Sequence, residues 1–306
     1  MRNLHLLCLA VLIAGACGGS EGPGDDAETD DAAAEAPGAE ALGVDQRAGT
    51  IQAQRATLVG LWSNGTPAFG VFVPSERERG ARGPDGERLP PLYTAEGAAR
   101  LAANPLLDYL FLNLEGSYDP EAVATVAAGL GEDPDAPTLL VRIPPISADG
   151  ATAARDRAME ALQAGADGIV FPHVRSAAEA RQVVESMEWA GADVWSPSNP
   201  GGTVLAMVMI EDPGALEDAA AIADVEGYSV LACGIGSLSQ ALGSREAGEA
   251  GNQRVLEEAK RVGRPDMITA NAEDVAQRID EGFLGLLMSG PEADEAIRVG
   301  RAAAGR

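Results

Sequence analysis

The chain has 306 residues, of which 46% are hydrophobic, and its formal net charge is -25 with a pI near 4.3. Such an acidic surface repels nucleic acids and anionic lipid headgroups, so the sequence predicts no nucleic-acid partner. An anionic ligand would need a local cationic site to overcome the overall field.

The N-terminus has the features of a secretory signal. Residues 1–17 combine a basic start, an apolar stretch and small residues before Cys17. The apolar stretch is shorter than the roughly 20 residues that span a bilayer. The last four of these residues also resemble a bacterial lipobox, which predicts that Cys17 is lipidated and anchors the chain to a membrane. The alternative is cleavage near Ala16 with Cys17 left free. Both predict export, to the periplasm or the cell surface.

Residues 18–49 predict an acidic disordered linker, because they are mainly Gly, Ala, Pro, Asp and Glu and include no aromatic residue. Residues 50–306 then form one domain. If Cys8 leaves with the signal and Cys17 is modified, Cys233 is the one cysteine left, which excludes an intrachain disulfide.

Short apolar segments alternate with amphipathic segments through this domain. The alternation predicts an α/β fold, a (β/α)8 TIM barrel, with an open doubly wound sheet as the alternative. A dinucleotide-binding function is disfavoured, because no Gly-x-Gly-x-x-Gly follows the first strand. The eight predicted strands are Ala68 to Val73, Tyr109 to Leu114, Thr138 to Ile143, Gly168 to Phe171, Val204 to Ile210, Ser229 to Cys233, Met267 to Thr269 and Leu284 to Met288. Predicted helices include Ala151 to Ala164, Ala177 to Met187, Gly214 to Ala223, Gly251 to Val262 and Ala272 to Glu281.

Helix-end signals fit this division of the chain. Ser176 stands three residues before a glutamate in a capping-box pattern, and Asp149 and Asn271 are further candidate caps. Gly165 and Gly282 follow predicted helices, where a left-handed backbone conformation favours glycine.

Polar residues end three of the predicted strands: Asn113 and Glu115, then Arg142, then Glu211. In a βα-barrel the carboxyl ends of the strands meet at one mouth, so these side chains are expected to converge there. Two carboxylates facing a guanidinium suggest an acidic ligand, a metal ion, or both.

Two loops are irregular. Residues 75–91 form a charged insertion after the first strand, which would lie at the mouth and could act as a lid that turns Arg77, Arg79 or Arg82 toward an acidic ligand. A solvated loop is the alternative. The second loop is Asp193 to Gly202. Its Trp195 could line a pocket or pack in the core.

Several motifs together resemble the HpcH/HpaI aldolase/citrate lyase family over about residues 58–300. The resemblance implies a barrel of the phosphoenolpyruvate/pyruvate-lyase type that makes or breaks carbon–carbon bonds in 2-oxo acids with a divalent metal, Mg²⁺ or Mn²⁺. The motifs lie in residues 107–115, 140–142, 161–174 with the following Ser-Ala-Ala-Glu-Ala, 209–211 and 227–239.

The resemblance also implies site residues. Arg142 matches the arginine that binds the substrate carboxylate, and Glu211 matches a metal-binding carboxylate. Gly116 replaces the histidine of the family's Asp-x-Glu-His motif. Ser237 replaces the second metal-binding carboxylate, and Gly234 and Ser237 fall where the family contacts substrate.

His173 is the candidate replacement for the missing acid/base, because it follows the fourth strand and the chain's other histidine, His5, lies in the signal. A structural histidine is the alternative. Glu115 competes as a base if burial raises its pKa.

These features predict a carbon–carbon lyase of aldolase type acting on a small 2-oxo or hydroxy carboxylate, with Arg142, Glu115 and His173 as catalytic residues. The alternative is a non-catalytic lipoprotein that binds or senses a carboxylate. A third hypothesis is an interaction protein whose barrel mouth is vestigial. The tail from Ala293 to Ala304 could pack on a neighbour in a homo-oligomer or close its own barrel.

Overall fold

The fold is a closed barrel of eight parallel strands, as the computed structural model shows for residues 57–133 and 135–306. Each strand pairs with the next along the chain, and β1 pairs with β8, so the predicted TIM barrel is confirmed and the open sheet is wrong. The strands are β1 (Ala68–Phe72), β2 (Tyr109–Asn113), β3 (Thr138–Arg142), β4 (Gly168–Phe171), β5 (Leu205–Ile210), β6 (Val230–Cys233), β7 (Asp266–Thr269) and β8 (Gly285–Met288).

Helices connect the strands and cover the outside of the barrel. They are α1 (Thr57–Ser63), α2 (Ala95–Ala102), α3 (Pro120–Leu130), α4 (Ile146–Gln163), α5 (Ala177–Trp189), α6 (Pro213–Glu217), α7 (Ala219–Ala223), α8 (Ile235–Leu242), α9 (Arg245–Arg261), α10 (Val275–Glu281) and α11 (Ala293–Ala303). No helix in this part of the chain is both long and apolar enough to cross a membrane. The predicted signal, linker and Cys17 lie outside the described residues and stay predictions.

The helix-end predictions were partly right. The Ser176 hydroxyl accepts a hydrogen bond from the Glu179 amide at the start of α5, and Gly165 and Gly282 adopt φ angles of 105° and 100°. α4 begins earlier than predicted, after Pro145, but its backbone is not helical at Gly150 (φ 88°, ψ 168°), so Asp149 stands just before this break, and its carboxylate accepts from Arg157. Asn271 accepts from the Glu273 amide, in the turn before α10.

The inside of the barrel is filled by apolar side chains, and α1 closes its N-terminal end. Trp62 of α1 is 3% exposed and donates its indole hydrogen to the Leu284 carbonyl at 2.8 Å. Trp195 joins the same apolar cluster just before β5. It therefore lies at the end of the barrel opposite the mouth and is 7% exposed, which favours the interpretation that it packs in the core.

The tail helix α11 packs on its own barrel. Ala296, Ile297 and Gly300 are buried, and Arg301 donates to the carbonyl of Leu106 and to the carboxylate of Asp108. These contacts favour the barrel-closing interpretation of the tail.

Candidate functional site

Three strand ends place charged side chains in contact at the barrel mouth. Arg142 is the last residue of β3, Glu211 follows β5, and Glu115 lies just after β2. The Nη2 atom of Arg142 is 2.8 Å from Oε2 of Glu211 and 2.9 Å from Oε2 of Glu115. The predicted convergence of these three residues is confirmed.

The alternation of side chains along a strand explains why Arg142 reaches this point. Leu140, two residues earlier, packs in the apolar cluster inside the barrel, so Arg142 faces the same interior. Arg142 is 9% exposed and Glu211 is 2% exposed, so the pair is largely shielded from water. Asn113 is paired with Arg142 in the β2–β3 register, and its side-chain oxygen accepts from the Glu115 amide.

Arg142 retains hydrogen-bonding capacity that the described residues do not use. Its Nε atom is buried and has no hydrogen-bond partner in the described part of the chain. A buried donor without an acceptor is costly, so an acceptor is expected there when the protein is at work. A ligand carboxylate has the matching geometry for a guanidinium edge.

His173 joins this cluster from the end of β4. Its Nε2 atom is 3.2 Å from Oε1 of Glu115 and 3.6 Å from Oε2 of Glu211, and its Nδ1 atom is 3.3 Å from Oδ2 of Asp212. Its backbone amide also donates to Glu211 at 3.1 Å. His173 has a φ of 51°, a left-handed conformation that costs free energy in a residue with a Cβ atom.

The contacts around Glu115 and His173 shift their pKa values in opposite directions. Burial raises the pKa of Glu115, but the hydrogen bond to His173 and the charge of Arg142 outweigh burial and lower it overall. The hydrogen bond to Glu115 raises the pKa of His173, against an opposing effect of burial. The condition under which Glu115 would be the base, a raised pKa, is therefore not met, and the imidazole is the favoured position for a proton in this pair.

Sequence reasoning missed Asp212 and Arg175 as part of this network. Asp212 accepts from Arg175 Nε at 3.2 Å as well as contacting the His173 ring. The available signal was two consecutive acidic residues, Glu211 and Asp212, at a strand end before a proline. Successive side chains along a strand point to opposite faces, so only one of the two can face the barrel interior. Asp212 therefore had no expected role.

Glu115, His173 and Glu211 could also hold a metal ion. Each offers one ligand atom, and these atoms lie within 4.8 Å of one another. Carboxylate oxygens suit Mg²⁺ and Mn²⁺, and an imidazole nitrogen is tolerated by Mn²⁺ and softer ions. The donor types and spacing fit a divalent cation, although the Arg142 guanidinium already neutralises part of their charge.

Gly234 and Ser237 lie beside Glu211, in a cavity of about 200 Å³ that Arg142 also lines. A Cβ atom at Gly234 would lie 2.0 Å from Oε1 of Glu211, so this close approach requires glycine. Ser237 offers a hydroxyl to the same cavity. Cys233 is buried and free, and burial raises the pKa of its thiol. The two other cysteines lie outside the described residues, so the absence of a disulfide stays a prediction.

The loop after β1 borders the mouth, as predicted. It lines a cavity of about 880 Å³ with Asn113. Arg77 donates to the Pro90 carbonyl and Arg82 to the Gly86 carbonyl, so both arginines hold the loop's own backbone. Of the three arginines named from sequence, Arg77 and Arg79 line the cavity.

Comparison with known proteins supports the family resemblance. The model of the family described as HpcH/HpaI aldolase/citrate lyase matches residues 98–285. The 4-hydroxy-4-methyl-2-oxoglutarate aldolase cghB of Chaetomium globosum is 32% identical over 167 residues, which is 47% of this chain and 58% of that protein. The enzyme of the same name, tasA, from Hapsidospora irregularis is 31% identical over 175 residues, 50% of this chain and 61% of that protein. The chain thus spans about three fifths of these relatives.

Solved structures share the fold at low identity. The HpcH/HpaI aldolase from Desulfitobacterium hafniense DCB-2 has a TM-score of 0.58 at 21% identity, covering 79% of this chain and 93% of that chain. The citrate lyase beta subunit of M. tuberculosis, complexed with oxaloacetate and magnesium, has a TM-score of 0.51 at 19% identity, covering 78% and 97%. Because the family model matches more than half of this chain, the chain belongs to the HpcH/HpaI aldolase/citrate lyase family.

Proposed function

We propose that this protein is a carbon–carbon lyase of aldolase type that acts on a small 2-oxo or hydroxy carboxylate. The observation that carries the proposal is the buried Arg142 guanidinium, held by Glu115 and Glu211 with its Nε donor unused. The names of the two curated relatives, both aldolases of a 2-oxo acid, support the same reaction class.

Arg142 would bind the ligand carboxylate through charge-assisted hydrogen bonds, which are stronger than those between neutral groups. This contact orients the ligand so that its oxo group lies toward Glu115 and His173. Glu211 fixes the guanidinium, because its side chain is buried and its carboxylate accepts from Arg142 at 2.8 Å.

Cleavage of an aldol requires a proton to leave its hydroxyl group and a proton to reach the enolate carbon. The Glu115–His173 pair holds a proton at Nε2 and can return it to the carbon as a general acid. In its neutral form the same imidazole can accept the hydroxyl proton. Asp212 contacts Nδ1 and so favours a ring orientation that presents Nε2 to the site.

Glu115 and Glu211 would hold Mg²⁺ or Mn²⁺ through their carboxylate oxygens, which leaves the Nε2 atom of His173 free for proton transfer. When bound, a divalent ion supplies positive charge that polarises the oxo group and stabilises negative charge on its oxygen.

Calorimetric titration of the full chain with Mn²⁺ or Mg²⁺, with and without pyruvate, tests the proposal. We expect metal and oxo acid each to tighten the binding of the other, and we expect Glu211→Ala to weaken both by at least about tenfold. A wild-type protein that binds neither would overturn the proposal.

A non-catalytic carboxylate-binding protein is the second candidate. Two substitutions favour it. Gly116 stands where the family has its acid/base histidine, and Ser237 stands where the family has its second metal-binding carboxylate. Oxo-acid binding that survives in the wild type with no product formed from any 4-hydroxy-2-oxo acid would select this function.

We further propose that the protein is exported and anchored through a lipid on Cys17. The support is the signal-like segment and lipobox-like residues at its N-terminus. Metabolic labelling with a radioactive fatty acid in a bacterial host should mark the wild type but not Cys17→Ser. Equal labelling of the two proteins would contradict the anchor.

A further inference from the structure

Asp212 stands immediately before α6, at a position where an aspartate usually accepts a hydrogen bond from an amide in the first turn of the helix. Its side chain makes no such bond. Its Oδ2 atom lies instead 3.3 Å from Nδ1 of His173 and 3.2 Å from Nε of Arg175, two residues in the segment between β4 and α5. The carboxylate therefore serves a contact distant in sequence rather than its own helix.

His173 departs from local preference at the same contact. Its φ of 51° is unfavourable for a residue with a Cβ atom. In this conformation its backbone amide donates to Glu211 at 3.1 Å, and its ring lies between the carboxylates of Glu115 and Asp212. Two unfavourable local choices that meet at one contact are typical of a functional site.

Arg175 is fixed by its backbone and reaches Asp212 with its side chain. Its amide donates to Oε2 of Glu179 at 2.7 Å, in the first turn of α5. Within residues 57–133 and 135–306, its side chain forms a hydrogen bond and ion pair with Asp212 and with no other residue. Asp212 is therefore its one route of contact to the site.

The Asp212 side chain needs a partner to stay against the ring. It is 30% exposed, and exposed side chains change rotamer within picoseconds to nanoseconds. Arg175 supplies a cation at 3.2 Å on the same oxygen that faces His173. This contact restricts the carboxylate to the orientation that meets Nδ1.

We propose that Arg175 is a positioning residue, which holds the Asp212 carboxylate against Nδ1 of His173 and thereby keeps Nε2 directed at Glu115 and at a bound ligand. The inference rests on the proposed function, in which the His173 imidazole transfers the proton. Arg175 touches neither the ligand nor the reacting atoms, so it acts through Asp212 alone.

The first test measures the order of the His173 ring by carbon NMR relaxation of the full chain labelled in histidine. His5 is the other histidine, so His173→Asn identifies the signals. We expect Arg175→Gln to lower the order parameter of the ring by about 0.1–0.2, on a scale where a rigid backbone gives about 0.85. Arg175→Lys should restore part of the loss. Arg181→Gln, which removes an exposed arginine of α5, should leave the wild-type value.

A double-mutant cycle shows whether Arg175 acts through Asp212. Asp212→Asn should lower the ring order as Arg175→Gln does, and the two changes together should lower it no further. Unchanged ring order in Arg175→Gln, or effects of the two substitutions that add, would overturn the inference and leave the proposed function standing.

The second test follows the exchange of pyruvate methyl protons for deuterium in heavy water with Mg²⁺ present, a reaction in which a base breaks the carbon–hydrogen bond and a deuteron returns. Arg175→Gln should lower kcat for exchange by about two- to fivefold, a modest factor because exposed ion pairs contribute little. KM for pyruvate should stay within about twofold, because Arg142 is unchanged. A loss confined to KM would overturn the inference. A wild type without exchange counts against the proposed function, whereas ring order still decides whether Arg175 holds Asp212.

Discussion

The Nε2 atom of His173 lies 3.2 Å from Oε1 of Glu115, so an imidazole from the end of β4 contacts a carboxylate from the end of β2. The pair joins two residues whose ordinary pKa values differ by about two units, and the contact moves these values further apart. The two residues consequently behave as one proton-holding unit.

Replacing the imidazole should change the ionisation of Glu115. His173→Asn removes the hydrogen bond that contributes most to lowering the pKa of Glu115, so that pKa should rise. Carbon NMR titration of labelled glutamate carboxyl groups measures the change. Arg181→Gln, at an exposed position on α5, is the control, because it lies outside this group of contacts. An unchanged Glu115 titration in His173→Asn would show that the contact is absent in solution.

Arg142→Lys should weaken oxo-acid binding by at least about tenfold, although it conserves the charge. A lysine ammonium cannot offer the two parallel donors of a guanidinium, and charge-assisted hydrogen bonds contribute about 1.5–3 kcal/mol each. Calorimetry with pyruvate gives the affinity, and circular dichroism checks the fold. Affinity equal to that of the wild type would remove Arg142 from the ligand site.

The contact between Glu249 and Arg278 should make stability depend on pH at the acid end. Their side chains form two parallel hydrogen bonds of 2.6 and 2.7 Å, and the bond to Arg278 lowers the pKa of Glu249 from 4.5 to about 2. A lowered folded-state pKa stabilises the fold above pH 4.5, and this contribution is lost as the pH falls toward about 2.

Glu249→Gln should lower the free energy of unfolding near pH 7 by about 1–2 kcal/mol, a value reduced by the partial exposure of Glu249. The difference between wild type and variant should shrink as the pH falls from 4.5 to 2. Urea unfolding at several pH values measures it. Glu257→Gln, at an exposed position on α9, is the control, and a difference that does not depend on pH would contradict the prediction.

Asp266 should destabilise the barrel at neutral pH. It is 1% exposed, and neither side-chain oxygen has a hydrogen-bond partner in the described part of the chain. Burial raises the pKa of this carboxyl well above its usual range. A raised folded-state pKa means that stability falls as the pH rises above the unfolded-state value of about 3.9.

Asp266→Asn should therefore stabilise the protein at pH 7, by about 1–2 kcal/mol. Asp108→Asn is the contrasting variant and should destabilise it, because Asp108 accepts from Arg301, Arg306 and the Phe69 amide. Thermal unfolding of the two variants gives the comparison. A lower melting temperature for Asp266→Asn than for the wild type would show that the carboxyl has a stabilising partner.

The sequence by itself determined the barrel and the end of it that carries the chemistry. Alternating apolar and amphipathic segments specify parallel strands with outer helices, and polar residues at strand ends specify the mouth. The strand positions of Arg142 and Glu211 could be predicted because a side chain's direction within a strand depends on local alternation alone.

Tertiary structure decided what each of these groups does. The lowered pKa of Glu115 depends on a histidine and an arginine from two other strands, which no local pattern reveals. The roles of Asp212 and Trp195 likewise depend on which neighbours the closed barrel brings to them. The pKa values and the shapes of the cavities depend on contacts between residues that are distant in sequence. These contacts form only in the closed barrel, in which β8 pairs with β1.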